Sequence, residues 1–197
     1  MWADNFSARL LRWTAAFVLL AAAASARAGQ GTAPVSNSGF SEDPVLLYFF
    51  PLDEDPGWTV ESDWAFGVPL GQGGGPDPVN DGYPDPVSGY TGKNVYGYNL
   101  AGNYPDNLPE TYYLTTGPID CAGAVQIHLV YRRWLNVECF QHDKVSVQYS
   151  TDGTAWHRMA QNYDCPVNIT DSDWNTASHA AAGANYQPAV RFRWGLG

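Results

Sequence analysis

The chain has 197 residues, with 20 acidic against 10 basic side chains, a formal charge of −10 and three cysteines. A surface of that sign repels nucleic acid and anionic lipid, so neither is expected as a partner. Residues 29–120 hold thirteen acidic side chains and one basic one, Lys93, whereas residues 121–197 hold six of each, so the excess charge sits in the first half.

Residues 1–28 read as a secretory signal peptide. Arg9 and Arg12 supply a positive start, residues 13–24 an apolar stretch, and Ala26-Arg27-Ala28 a small-x-small cleavage site. The apolar stretch is shorter than the roughly 20 residues of a membrane helix. An uncleaved N-terminal anchor is the alternative. No second apolar stretch of that kind follows, so no membrane insertion is expected after cleavage, and the product should be secreted or held at the cell surface. Residues 29–44 are small, polar and aperiodic, which predicts a flexible leader. The remainder, 45–197, reads as one domain.

Within that domain, residues 45–51 (VLLYFFP) form an apolar run of strand length stopped by Pro51, and 58–61 begin another strand. The segment 57–100 carries too much Gly and Pro for a helix, while aromatic and β-branched residues recur at both of its ends. Strands are predicted at 95–98 and 112–116. Val125, Ile127, Leu129 and Tyr131 alternate with more polar neighbours, as do Val145, Val147 and Tyr149, and Val190, Phe192 and Trp194. The last of these presents a basic outer face of Arg191 and Arg193. A short Ala-rich piece, 177–184, is the one helical candidate of the domain. About eight strands with unequal loops predict an all-β fold, a jelly-roll-like two-sheet β-sandwich. The chain stops directly after a strong strand, which predicts that the final strand is missing and that an edge is open to self-association.

Three cysteines in an exported chain leave one over. Residues 124–134, 144–150 and 155–160 read as a three-strand meander, with Cys139 and Cys165 at one end and Cys121 at the other. Because a ten-residue strand spans about 33 Å, the expected disulfide is Cys139–Cys165. Cys121 is left as a buried thiol or a handle to another chain. The alternative is that all three are reduced.

Asp77, Asn80, Asp81 and Asp85 crowd one Gly/Pro-rich loop and offer hard oxygen ligands for Ca²⁺, although their spacing is not that of an EF-hand. A solvated acidic loop is the plain alternative. Asp152-Gly153 reads as a hairpin turn between two strands. No G-x-S-x-G, H-E-x-x-H or phosphate-binding loop is present, and the four histidines are scattered, so the chain is not expected to be an enzyme. Neither His142-Asp143 beside Cys139 nor the pair Glu61 and Asp63 makes a convincing catalytic set. Trp64, Tyr90, Tyr96 and Tyr98, together with Trp58 and the Tyr112-Tyr113 pair, are candidates for stacking on sugars or anchoring a protein, against the alternative that most are core.

Six segments together resemble one known module: WAFGVPLGQGG at 64–74, DPVSGYTGKNVYGYNLAGNY at 85–104, YLTTGPIDC at 113–121, RRWLNVE at 132–138, DKVSVQYSTDGTAW at 143–156 and VRFRWGLG at 190–197. They are similar to the MAM-like, adhesin-type jelly-roll modules appended to exported bacterial proteins. The resemblance covers roughly 56–197. It implies a sandwich without a catalytic centre, an accessory or adhesive role, and often a structural Ca²⁺, for which Glu138 and Asp143 join the loop residues as candidates. The function expected from sequence is thus an exported non-catalytic module binding an extracellular glycan or protein. The alternatives are a detached fragment of a larger secreted hydrolase or peptidase, and a structural cell-surface protein.

Overall fold

The computed structural model describes residues 12–17, 44–75 and 82–197. Its strands are β1 (Arg12–Phe17), β2 (Thr59–Val60), β3 (Trp64–Gly67), β4 (Val95–Tyr98), β5 (Tyr112–Thr115), β6 (His128–Val137), β7 (Val145–Ser150), β8 (His157–Gln161), β9 (Ile169–Thr170), β10 (Asn175–Ala180) and β11 (Arg191–Leu196), with one 3-10 turn at Ala182–Ala184. They form two sheets. One runs β10-β6-β1-β4-β3 with β9 also on β6, and the other runs β2-β5-β11-β7-β8. The all-β sandwich expected from the alternating pattern is therefore present.

The alternation marks which face goes inward. Ile127, Leu129, Tyr131 and Leu135 from one sheet and Val145, Val147, Phe192 and Trp194 from the other are buried between the layers. Trp58 bridges them. Its ring stacks on Tyr96 at 5.0 Å and on Trp194 at 5.9 Å, and Tyr131 meets Trp194 edge-on at 5.6 Å. Rings at these separations add to the area they bury.

Several sequence expectations change. The meander does not exist as such, because β6 lies in the opposite sheet from β7 and β8. The segment that follows β6 crosses between the layers instead. Residues 177–184 are not an α-helix: the first half belongs to β10, paired antiparallel along β6 from Asn175↔Arg133 to Ala180↔His128, and only Ala182–Ala184 make a 3-10 turn. Residues 45–51 are not a strand, and Val45, Leu46 and Phe49 are about half exposed. β11 is an inner strand, pairing with β5 on one side and β7 on the other. Most of the expected signal peptide lies outside the described residues, as does nearly all of the predicted flexible leader, but Arg12–Phe17 stands as an inner strand of the first sheet.

Candidate functional site

The inward faces of β6 and β7 diverge toward the edge strands β8 and β10 and leave a cavity of about 220 Å³. Its walls mix polar side chains with apolar ones, the latter being Leu135 from β6, Val145 and Val147 from β7, Ala160 from β8 and Ile169 from β9. The polar side chains that line it are Arg133, His179, Tyr131, Gln161, Asn162 and Tyr163. A concave site that combines apolar surface with placed polar groups is the usual form of a ligand site; this one is partly open to solvent and smaller than the roughly 300–1,000 Å³ that drug-sized ligands occupy.

Each polar group is held in a defined state. Arg133 sits on β6, where its Nε and Nη2 donate to Asp171 Oδ2 and Oδ1 at 2.9 and 3.1 Å. Asp171 Oδ2 also accepts from the Leu135 amide at 2.9 Å, which ties the segment after β9 to β6. The guanidinium is thereby fixed and its charge balanced. His179 Nε2 stands 3.4 Å from the Tyr131 hydroxyl. Burial, and then the nearby Arg133 charge, hold the imidazole below its ordinary value near 6.5, so it is neutral at pH 7. Burial pushes the Tyr131 phenol up to about 12, so it stays protonated. Asn162 lines the cavity but is occupied, its Oδ1 accepting from the Val145 amide and its Nδ2 donating to the Glu138 and Asp143 carbonyls. The cavity is therefore close to electrically neutral, with hydroxyl, imidazole and amide groups among aliphatic walls.

The aromatic residues singled out from sequence fall elsewhere. Trp64, Tyr96 and Tyr98 are at most 2 % exposed, and their rings are spent in the core; Tyr90 is exposed, with the Arg132 guanidinium 4.0 Å above its ring. Trp58 is a core residue, and Tyr113 is covered by Arg193 at 3.7 Å. The half-exposed aromatics that sequence reasoning passed over are Trp134 and Trp174, which meet edge-on at 5.7 Å. Trp134 takes the outward phase of the β6 alternation. That phase is the signal that would have found it.

Among the cation candidates, Asp77, Asn80 and Asp81 lie outside the described residues. Asp85 is buried beside the neck of the same loop, which is closed by bonds from the Gly75 amide to Gly82 O and from the Asp85 amide to Gly73 O. Asp143 is buried, and its Oδ2 accepts from the Tyr104 hydroxyl at 2.6 Å and the Glu138 amide at 3.0 Å. Burial raises its pKa. A carboxylate so engaged organises its own loop and fits a cation poorly. Among the described residues, the group of three ligating side chains that comes together is Cys139, His142 and Cys165, and its two sulfurs are joined in the disulfide. Asp85, Glu138 and Asp143 form no such group.

The expected bond, Cys139–Cys165, is present with Cα atoms 4.8 Å apart. Cys121 is a buried thiol, and burial pushes it up to about 11. Asp152 is a turn residue, its Oδ1 accepting from the Thr154 and Ala155 amides at 2.7 and 2.8 Å beside Gly153 at φ 78°. No helix among the described residues is long and apolar enough to cross a membrane. No family model, curated protein or solved structure matches this chain.

Proposed function

We propose that this protein is an exported, non-catalytic binding module of the MAM-like jelly-roll kind, which takes one residue of an extracellular glycan or protein into the cavity between β6, β7, β8 and β10. The observation that carries the reading is the cavity's make-up: aliphatic side chains beside a guanidinium paired to Asp171, the His179 imidazole and the Tyr131 hydroxyl 3.4 Å from it. Such a site rewards an uncharged, hydroxylated ring over a charged side chain, because an ion would have to shed its water without a counter-charge. A glycan residue is thus the favoured guest, and about 220 Å³ suits one sugar ring rather than a chain of them.

Ca²⁺ bound by the loop of Asp77, Asn80, Asp81 and Asp85 belongs to the same proposal as a structural ion. Raising the thermal midpoint of the full chain by millimolar Ca²⁺ over EDTA supports it, and identical midpoints reject it.

The test of the binding reading is a glycan and peptide array probed with the full chain and three variants. Tyr163→Ala and His179→Gln alter the cavity, and Trp174→Ala alters the outer face of the first sheet. Retained binding by Trp174→Ala with loss in both cavity variants is the expected result. Loss in Trp174→Ala alone overturns the cavity assignment and moves the site to the outer aromatic pair.

A further inference from the structure

The outer face of the second sheet carries positive charge that the cavity does not use. Phe192 and Trp194 of β11 are buried between the layers, so Arg191 and Arg193, in the opposite phase of the strand, turn outward. The register extends this outward row over all five strands. Thr59 stands opposite Thr115, Thr115 opposite Arg193, Arg193 opposite Gln148, and Gln148 opposite Arg158. Directly opposed residues share a face. With neighbouring strands about 4.8 Å apart, the row is about 19 Å long.

Arg193, at its centre, is held by three neighbours. Gly195 lies two residues on and shares its phase, and a Cβ there would meet Tyr113 Cε1 at 2.6 Å. The missing side chain lets the Tyr113 ring lie over β11. The Arg193 guanidinium sits 3.7 Å from the centre of that ring and 4.0 Å from that of Trp156, and its Nε donates to Gln148 Oε1 at 2.8 Å. Among the described residues its two terminal nitrogens make no hydrogen bond, and Arg158, Arg191 and Arg193 form no ion pair. The carboxylates of Glu61 and Asp152 are spent on backbone amides, Glu61 Oε2 accepting from Tyr113 and Asp152 Oδ1 from Thr154 and Ala155. A chain of formal charge −10 thus presents three arginines without counter-charge on one face.

We propose that this row is a binding site for an acidic sugar, with the Arg193 fork taking its carboxylate or sulfate and Arg158 and Arg191 as flanking charges. A planar guanidinium with its outer N–H groups unused matches an oxyanion in two-point fashion, and fixing it beforehand lowers the cost of binding. The rings of Trp156 and Tyr113 offer flat apolar surface beside the charge, and Thr59, Thr115 and Gln148 offer partners for sugar hydroxyls. An acidic peptide is less well served. The backbones of β5, β11 and β7 are paired on both sides, so a peptide lying along the row gains no main-chain ladder there. Screening over about 8–10 Å lets the patch act locally despite the negative total. The site is on the opposite face of the sheet from the cavity and selects a charged guest, so it does not rest on the cavity reading.

The test is calorimetric titration of the full chain with an oligogalacturonate, its methyl ester, a heparin-derived oligosaccharide and an oligoglutamate peptide. Saturable binding of an acidic oligosaccharide that weakens as salt is raised, with none of the ester, is the expected result. The tighter of the two acidic oligosaccharides tells carboxylate from sulfate. Arg193→Gln should weaken binding by at least about tenfold, and Arg193→Lys, which keeps the charge and loses the fork, by at least about threefold. Arg158→Gln, at the exposed edge strand, should cost about threefold and carries the test should Arg193→Gln fail to fold. No binding of either acidic oligosaccharide, or undiminished binding by the arginine variants, overturns the proposal. Tighter binding of oligoglutamate than of both sugars overturns the acidic-sugar assignment in favour of an acidic peptide.

Discussion

Asp171 serves two partners at once, closing a two-point bond with Arg133 and accepting the Leu135 amide. Asp171→Asn removes the charge that balances a guanidinium only about a quarter exposed. The expected cost is about 3 kcal/mol, toward the lower end for a broken buried pair because water still reaches the arginine. Urea unfolding checks it, and a change under 1 kcal/mol contradicts the pairing. His179 gives a pH dependence with a defined sign. Its folded value lies below the ordinary 6.5, so on acidification the unfolded chain takes up the proton first. The contribution is full above about pH 6.5 and is lost as the pH falls from there toward the folded value. His179→Gln should flatten the slope of stability against pH in that window, and an identical slope in both proteins contradicts the assignment.

At the scale of elements, the crossing from β6 to β7 is tied down by several independent bonds. The disulfide joins residues 26 apart, Asp143 holds the turn through Tyr104 and Glu138, and Asn162 bonds three backbone groups. Replacing both Cys139 and Cys165 by Ala should cost about 3 to 4 kcal/mol in the chain-entropy account. Tyr104→Phe should cost about 1 to 3 kcal/mol, since a buried carboxylate loses a donor; both are read by chemical denaturation. The cysteine pair was legible in the sequence although the meander behind it was not. Period-two alternation reports which face a strand buries, as Leu129 and Tyr131 do in β6 and Val145 and Val147 in β7, but alternation carries no information on which strands are neighbours. In 177–184 the alanine content favours a helix, and pairing with β6 overrides that weak preference.

Across the whole molecule, one aromatic column couples the layers, with Trp58 between Tyr96 and Trp194. Trp58→Ala should cost about 3 to 5 kcal/mol, as expected for an emptied aromatic site in a packed core, and calorimetry of the full chain measures it. Tyr96 is spent in this column and Tyr98 against Trp64 and Tyr112, so neither ring is open to a ligand. The cavity was not legible at all. Its lining comes from five separate strands and the loops beside them, and no local motif marks Arg133, His179 or Tyr163 as neighbours. The central claim, that this cavity is where the ligand sits, is tested most directly by methyl and amide chemical shifts of the full chain titrated with its tightest array hit. The account predicts saturable shifts at Leu135, Val147, Ala160 and Ile169. Shifts confined to Trp134, Trp174 and the outer face of β6 would contradict it.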